Sequence, residues 1–339
     1  MLIIYTVSHF IVDFASGWAL YHGAAYSEQG WFCVVLYAFL AFAMQMPLGA
    51  CADKFNRNAL CAAAGCLLVG AACLLPASPL TVTVIAGFGN ALFHLGGGID
   101  VLNSSQGKTG PLGIFVSTGA FGIFYGCKLG HTAPHLAVIT AAAAALAAAA
   151  ILLRQYLSCR SWRSSNTPLR LPKPSRPYLI AALCLFCVVI LRSYLGFALD
   201  FSWKSAAPWG LVLLCALAAG KMGGGLLADR FGQLTVCLST LSAAALFFLL
   251  SGFPWAGVLA VWLFNMTMPL TLGALALISP GCKGFAFGAL TFGLFLGSLP
   301  HLLGCDSLPH TPVTYAAAAL LSLLLLWIGL KNVSLAAEC

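Results

Sequence analysis

Apolar stretches of about twenty residues alternate along the chain with short segments that hold most of the charges. A helix of about twenty residues crosses a hydrocarbon layer about 30 Å thick. Backbone groups in lipid need hydrogen-bond partners within their own segment, so each stretch is predicted to be a helix. The pattern predicts twelve spans, at 2–25, 31–51, 58–75, 79–103, 109–128, 134–155, 178–200, 206–228, 234–252, 255–278, 284–303 and 311–330.

The composition excludes a water-soluble domain. Hydrophobic residues make up 61% of the chain, charged residues make up 7%, and the mean hydropathy is +0.98. These values indicate an integral, all-α membrane protein with twelve transmembrane helices.

The second half of the chain repeats the first. The segment Gly49–Phe55 (GACADKF) matches Gly225–Phe231 (GLLADRF), which lies 176 residues later. A polar, proline-rich segment separates the halves, and this composition indicates a linker. We therefore predict two six-helix bundles in parallel repeat, at 1–157 and 178–339, joined by a cytoplasmic linker at 158–177.

Lysine and arginine occur mainly in the segments that follow even-numbered spans. By the positive-inside rule those segments and both termini are cytoplasmic, which predicts a multi-pass protein of the plasma (inner) membrane. The first span lacks a charged leader and is expected to be retained. The net charge of +8 then reflects this orientation and contact with anionic lipid, and no nucleic-acid partner is expected.

The fourteen cysteines do not form a metal-binding pattern. Most lie inside apolar spans, and the pair Cys184 and Cys187 has no histidine or further cysteine at ligand spacing. They are predicted to be small packing residues, and no metal or cofactor is expected.

Six plus six helices with a Gly-x-x-x-Asp-[Lys/Arg] motif after spans 2 and 8 resemble the major facilitator superfamily of secondary transporters. The resemblance covers the whole chain. Three shorter segments resemble the fosmidomycin-resistance branch of exporters within it: His9–Asp13, Asn90–His94 and the glycine series of span 5. The resemblance implies a monomer.

The resemblance also implies that the motif carboxylates close the cytoplasmic side. Asp53, with Gly49, would cap the start of span 11 near Gly284, because a carboxylate satisfies unpaired N–H groups and the positive dipole end of a helix. Asp229, with Gly225 and Arg230, would cap the start of span 5 near Thr109 in the same way. We call each of these contacts a latch.

Two further residues match the first copy of the motif. Arg57 stands at its distal basic position, and Asp100 stands where the family has its acidic partner. In the second copy Gln233 replaces the basic residue, and span 10 has no acid, which predicts a weaker second latch. The alternative is that these segments are only positive-inside loops.

Glycines recur at small-residue spacing on span 5 and on span 11, which predicts close approach of helix backbones. Exporters of this family usually end helix 5 with Gly-Pro, whereas here Lys128-Leu129-Gly130 occupies that place. The direction of transport therefore stays open between export and uptake. The glycines are Gly113, Gly119, Gly122 and Gly126 on span 5, and Gly288, Gly293 and Gly297 on span 11.

His9 and Asp13 share one face of span 1, and an ionisable pair within a membrane is a functional candidate. Histidine titrates near neutrality, so the pair could bind and release a proton or contact substrate. A structural hydrogen bond between helices is the alternative.

The resemblance implies that helices 1, 4, 7 and 10 line the central cavity. His94 with Asn90, and Arg192 with Tyr194, would then contact substrate. A guanidinium binds carboxylate or phosphonate through two donors, although Arg192 could instead neutralise Asp13. On span 10 the candidates are Asn265 and Met268, which line the cavity near a kink at Pro269 or simply pack.

These observations favour a secondary active exporter of a small organic solute that exchanges for protons by alternating access. An uptake symporter or facilitator of a small organic anion is the alternative, as is a non-transporting receptor on the same fold. No nucleophile or phosphate-binding loop indicates an enzyme. The expected partners are a small molecule, a proton and the lipid bilayer.

Overall fold

The computed structural model describes residues 1–339 except 76–77, 159–168, 173, 306–307 and 338–339. All regular structure within these residues is helical. Ten helices in the described part are long and apolar enough to cross a membrane, and two more apolar helices have 17 residues each. The predicted all-α membrane fold is confirmed. Most of the predicted linker at 158–177 lies outside the described residues.

We number the twelve apolar helices in chain order. They are α1 Leu2–His22, α2 Gly30–Phe55, α3 Asn58–Leu74, α4 Pro79–Ser104, α5 Gly110–Thr132, α6 Pro134–Leu157, α7 Arg176–Ala198, α8 Trp209–Phe231, α9 Gln233–Leu249, α10 Pro254–Leu277, α11 Lys283–Leu302 and α12 Pro312–Ala337.

Three of these helices are irregular. A π turn lies within α2 at Phe39–Ala43. α5 is interrupted at Thr118, whose hydroxyl donates a hydrogen bond of 2.7 Å to the carbonyl of Thr6. α10 is interrupted between Asn265 and Met268. The predicted proline kink accounts for this last break, because a proline at 269 has no N–H for the carbonyl four residues earlier.

The sequence repeat extends to the way two equivalent helices end. Asn56 follows α2 with φ +53°, and Gly232 follows α8 with φ +87°. Asparagine and glycine are the residues that adopt positive φ most readily at a helix end. Both copies of the motif therefore end at a residue with positive φ, although ψ differs, at +43° for Asn56 and +145° for Gly232.

The chain divides into two compact units. The first is Met1–Gln106, Thr118–Arg170 and Gly281–Phe292, and the second is Gly107–Ser117, Leu171–Pro280 and Gly293–Cys339. Each unit thus contains a short segment from the other half of the sequence. The sequence boundary of the bundles near 158–177 therefore stays a prediction.

Glycines allow helices within each unit to pack backbone against backbone. In the first unit a Cβ at Gly122 would overlap the carbonyl of Phe10. In the second unit a Cβ at Gly297 would overlap the carbonyl of Ile190. The close approach predicted from small-residue spacing on α5 and α11 is confirmed.

Candidate functional site

A histidine and a carboxylate lie one turn apart on the same face of α1. His9 Nε2 is 3.2 Å from Asp13 Oδ2, and His9 is 4% exposed. The spacing of four residues places the two side chains one above the other. The predicted pair therefore forms in the structure, at a depth where polar groups are costly unless they satisfy one another or face a cavity.

α4 adds two more predicted residues to this pair. Asn90 Nδ2 donates to Asp13 Oδ1 at 2.9 Å. His94 Nε2 lies 2.9 Å from His9 Nε2 and 3.6 Å from Asp13 Oδ1. Four residues from two helices thus meet in the first unit, and we call His9, Asp13, Asn90 and His94 the histidine cluster.

The backbone of α4 determines which nitrogen of His94 carries a hydrogen. His94 Nδ1 lies 2.9 Å from the carbonyl oxygen of Asn90, which can only accept a hydrogen bond. In the neutral imidazole Nδ1 therefore bears the hydrogen and Nε2 carries the lone pair. That lone pair points at His9 Nε2, so a single proton fits between the two rings.

Sequence reasoning missed the other groups around the cluster. Asn90 Nδ2 also donates to Ser16 Oγ at 3.3 Å. Ser16 stands three residues after Asp13 on the same face of α1, and that spacing could have revealed it. Gly119 was predicted only as a packing glycine, yet a Cβ there would overlap His9 Nε2 and Asp13 Oδ2.

Arg192 and Tyr194 belong to the second unit. Arg192 is 7% exposed, and its Nη1 has no hydrogen-bond partner among the described residues. The hydroxyl of Tyr194 likewise lacks a partner in the described part of the chain. Tyr194 lines an apolar groove of about 780 Å³ together with residues such as Cys187 and Pro300. No carboxylate of the described residues forms an ion pair with the Arg192 guanidinium, and a buried cation without a partner is costly.

The candidate residues of α10 lie next to its interruption. Asn265 is buried and donates from Nδ2 to the carbonyl of Val261 at 2.8 Å. Its amide NH₂ is thus partly used within its own helix. Met268 begins the second half of α10 and is half-buried.

The first latch has the predicted contacts. Asp53 Oδ1 accepts from the backbone N–H of Gly284, and Oδ2 accepts from that of Phe285, each at 2.8 Å. A Cβ at Gly49 would overlap the carbonyl of Gly284. Glycine therefore lets the start of α11 approach α2, and the aspartate four residues later satisfies its unpaired N–H groups.

The second latch repeats this chemistry. Asp229 Oδ1 accepts from Thr109 N at 2.6 Å, and Oδ2 accepts from Gly110 N at 2.8 Å. The Thr109 hydroxyl adds a third hydrogen bond of 2.9 Å. A Cβ at Gly225 would lie 2.5 Å from the Thr109 carbonyl oxygen. The structure thus adds a bond to the latch that was predicted to be weaker.

The remaining motif residues lie around the latches. Asp100 is buried in the first unit, where it accepts from Tyr5 Oη at 2.7 Å and from Asn58 Nδ2 at 3.0 Å. Neither donor was predicted from the sequence. Arg57 is exposed at the start of α3, and the Arg230 guanidinium packs over the Phe231 ring at 5.5 Å.

Comparison with protein-family models gives no match. No curated protein matches the sequence either. The relationship of this chain to known proteins therefore rests on its three-dimensional structure.

Solved structures of transporters match the chain over almost its full length. The E. coli fucose:proton symporter FucP matches with a TM-score of 0.64 and 14% identity, over 100% of this chain and 98% of that one. The chain has the major facilitator fold. The human organic anion transporter MFSD10 (TETRAN) matches this fold with a TM-score of 0.69 and 16% identity, over 96% and 98% of the two chains. A double-Trp mutant of XylE matches with a TM-score of 0.67 and 13% identity, over 99% and 98%.

These matches establish the major facilitator fold predicted from the repeat and its motif. Identities of 13% to 16% carry no information on substrate or direction of transport. They also give no support to the narrower resemblance to fosmidomycin-resistance exporters.

Proposed function

We propose that this protein is a secondary active transporter that moves a small organic solute across the membrane in exchange for protons by alternating access. The observation that carries the proposal is the duplicated latch on a major facilitator fold. Two equivalent aspartates each cap the start of a helix encoded in the opposite half of the sequence.

Each latch is held by hydrogen bonds that can break and form again. A hydrogen bond to a charged group is worth about 1.5–3 kcal/mol, and each carboxylate accepts at least two from backbone N–H groups. Solute and ion binding can therefore supply the free energy that opens and closes one side of the transporter.

The histidine cluster is the proposed place for the coupling proton. It combines one carboxylate with two imidazoles inside membrane-spanning helices, where ionisable groups mark ion and proton pathways. FucP, which shares the fold, is a fucose:proton symporter by name. Proton coupling is thus compatible with this architecture.

Arg192 is the proposed anchor for an acidic group of the solute. Its guanidinium is buried, and a planar carboxylate or phosphonate would give it two parallel hydrogen bonds. MFSD10, a second protein with this fold, is an organic anion transporter by name. Tyr194, Asn265 and Met268 are proposed to contribute to substrate selection.

Export is the proposed direction, in a monomer of the plasma membrane with both termini in the cytoplasm. The segments around His9 and His94 support export by their resemblance to exporters. Uptake by symport or facilitation is the second candidate, because Lys128-Leu129-Gly130 departs from the exporter pattern at the end of α5.

Proteoliposomes that contain a pH-sensitive dye test this proposal. Addition of organic acids, sugars and their phosphonate analogues one at a time should reveal a solute that drives proton flux. Asp13→Asn should reduce that flux at least tenfold, since the asparagine cannot ionise. The matched control is Asp200→Asn, which changes an exposed carboxylate and should leave the flux intact. Solute movement that ignores the pH gradient would refute proton coupling, and everted vesicles give the direction.

A further inference from the structure

We infer that His9, Asp13 and His94 form a binding site for a divalent first-row transition-metal ion, with Zn²⁺ and Co²⁺ as suitable probes. The inference concerns binding and stands whether or not the ion is transported. It goes beyond the proposed function, which requires only a proton and an organic solute.

The three side chains bring metal-binding atoms together. One donor atom from each residue lies within 4.8 Å of the other two. The two imidazole nitrogens lie 2.9 Å apart. His9 Nε2 is 3.2 Å from Asp13 Oδ2, and His94 Nε2 is 3.6 Å from the other carboxylate oxygen, Oδ1. Tetrahedral zinc with ligands at about 2.0–2.1 Å requires ligand atoms about 3.3 Å apart. The cluster needs only small side-chain shifts to meet that spacing.

In known metal sites, groups hydrogen-bonded to the ligands hold those ligands in the orientation that binds the metal. Here the backbone carbonyl of Asn90 accepts from His94 Nδ1, so Nε2 carries the lone pair that can bind an ion. The Asn90 amide NH₂ donates to Asp13 Oδ1, which leaves Oδ2 on the side of His9. One residue of α4 thus prepares both a nitrogen and an oxygen donor.

Glycine at position 119 lets the backbone of α5 lie beside two of the ligand atoms. A Cβ there would overlap His9 Nε2 and Asp13 Oδ2 and would displace both donors. The side-chain oxygen of Asn90, Oδ1, is also buried and has no hydrogen-bond partner among the described residues, so it could accept from a water molecule bound to the ion. Three protein ligands leave a fourth position for water or a solute oxygen.

Two imidazoles and one carboxylate suit zinc, cobalt, nickel or iron better than magnesium or calcium, which prefer oxygen ligands. A divalent ion would neutralise the charge of the partly buried Asp13 and bind the His94 lone pair that faces His9. Metal and proton would therefore compete for the same atoms.

The test is Co²⁺ titration of the purified full-length protein in detergent, after chelator treatment and without a histidine tag. Visible absorption bands typical of tetrahedral Co²⁺ should appear and saturate at one equivalent, and Zn²⁺ should abolish them. His9→Asn and His94→Asn should each weaken binding at least tenfold. His135→Asn changes an exposed histidine outside the cluster and should bind as wild type does.

A glycine pair distinguishes loss of the site from misfolding. Gly119→Ala places a Cβ against two of the ligand atoms, whereas a Cβ at Gly196 meets no atom within 4 Å. Only the first substitution should prevent Co²⁺ binding, while both proteins elute as monodisperse peaks. Asn90→Leu removes the hydrogen bond to Asp13 and should weaken binding about tenfold or more.

Absence of saturable Co²⁺ binding to the wild-type protein would overturn the inference. Binding that persists unchanged in both histidine variants would also overturn it, because the ion would then be held elsewhere. Neither result bears on solute-driven proton flux, so the proposed function is tested separately.

Discussion

Tyr5 is one of the donors that satisfy the buried carboxylate of Asp100. Its hydroxyl donates at 2.7 Å, and Tyr5 is 0% exposed. We expect Tyr5→Phe to lower the free energy of unfolding by about 1–2 kcal/mol, because the carboxylate loses a donor that water cannot replace. Thermal unfolding in detergent measures this loss. Tyr156→Phe removes a hydroxyl from a residue that is 73% exposed and should leave the midpoint unchanged.

Cys282 lies directly before α11 and is 1% exposed. Burial, with a smaller contribution from the Asp53 carboxylate, raises the pKa of its thiol to about 11. Only the thiolate reacts with alkylating agents, so the rate should rise about tenfold per pH unit while the pH stays below that pKa. Iodoacetamide labelling followed by peptide mass spectrometry provides the rate. A plateau near the ordinary cysteine pKa of about 8.5 would contradict the prediction.

At the scale of helices, the first latch holds the start of α11 through the two oxygens of Asp53. Asp53→Asn replaces one acceptor oxygen with an NH₂ group that faces a backbone N–H of α11. One hydrogen bond is lost, so the start of α11 should become more mobile. We expect alkylation of Cys282 at fixed pH to become several times faster. Cys51 is exposed in the same molecule and serves as an internal reference. An unchanged ratio of the two labelling rates would show that this hydrogen-bond pair does not restrain α11.

Local sequence signals predicted the helices, and the resemblance to the major facilitator superfamily implied the latches, but neither could predict the histidine cluster as a unit. The distance between two helices and their relative rotation depend on packing over the whole bundle. His9 and His94 are 85 residues apart, and no sequence pattern predicts that their Nε2 atoms lie 2.9 Å from each other. The latches could be expected because the duplicated motif carries the resemblance to that superfamily, and the resemblance implied their partners.

Two details show what local reasoning could not supply. The resemblance implied that Asp100 belongs to the first latch, which stays a prediction, but it did not indicate that Tyr5 and Asn58 donate to this carboxylate. No proline adjoins the break in α5 at Thr118, so the sequence did not predict it. The Thr118 hydroxyl donates to the backbone carbonyl of Thr6 in α1. Both features depend on long-range contacts.

For the whole molecule, the distribution of positive charges predicts which loops face the cytoplasm. Cys305 is exposed after α11, and Cys51 is exposed near the end of α2. A membrane-impermeant maleimide should label Cys305 in intact cells and Cys51 only after permeabilisation. The opposite result would reverse the proposed topology.

Each half of the chain can serve as a reference for the effects of substitutions in the other half. The equivalent positions are Gly49 with Gly225 and Asp53 with Asp229. In a deep mutational scan these pairs should share one substitution profile, because each glycine faces a backbone carbonyl and each aspartate caps a helix start. Positions 57 and 233 carry different residues and should show no such correspondence. Tolerance measured in either repeat could then be transferred to its partner position without a second experiment.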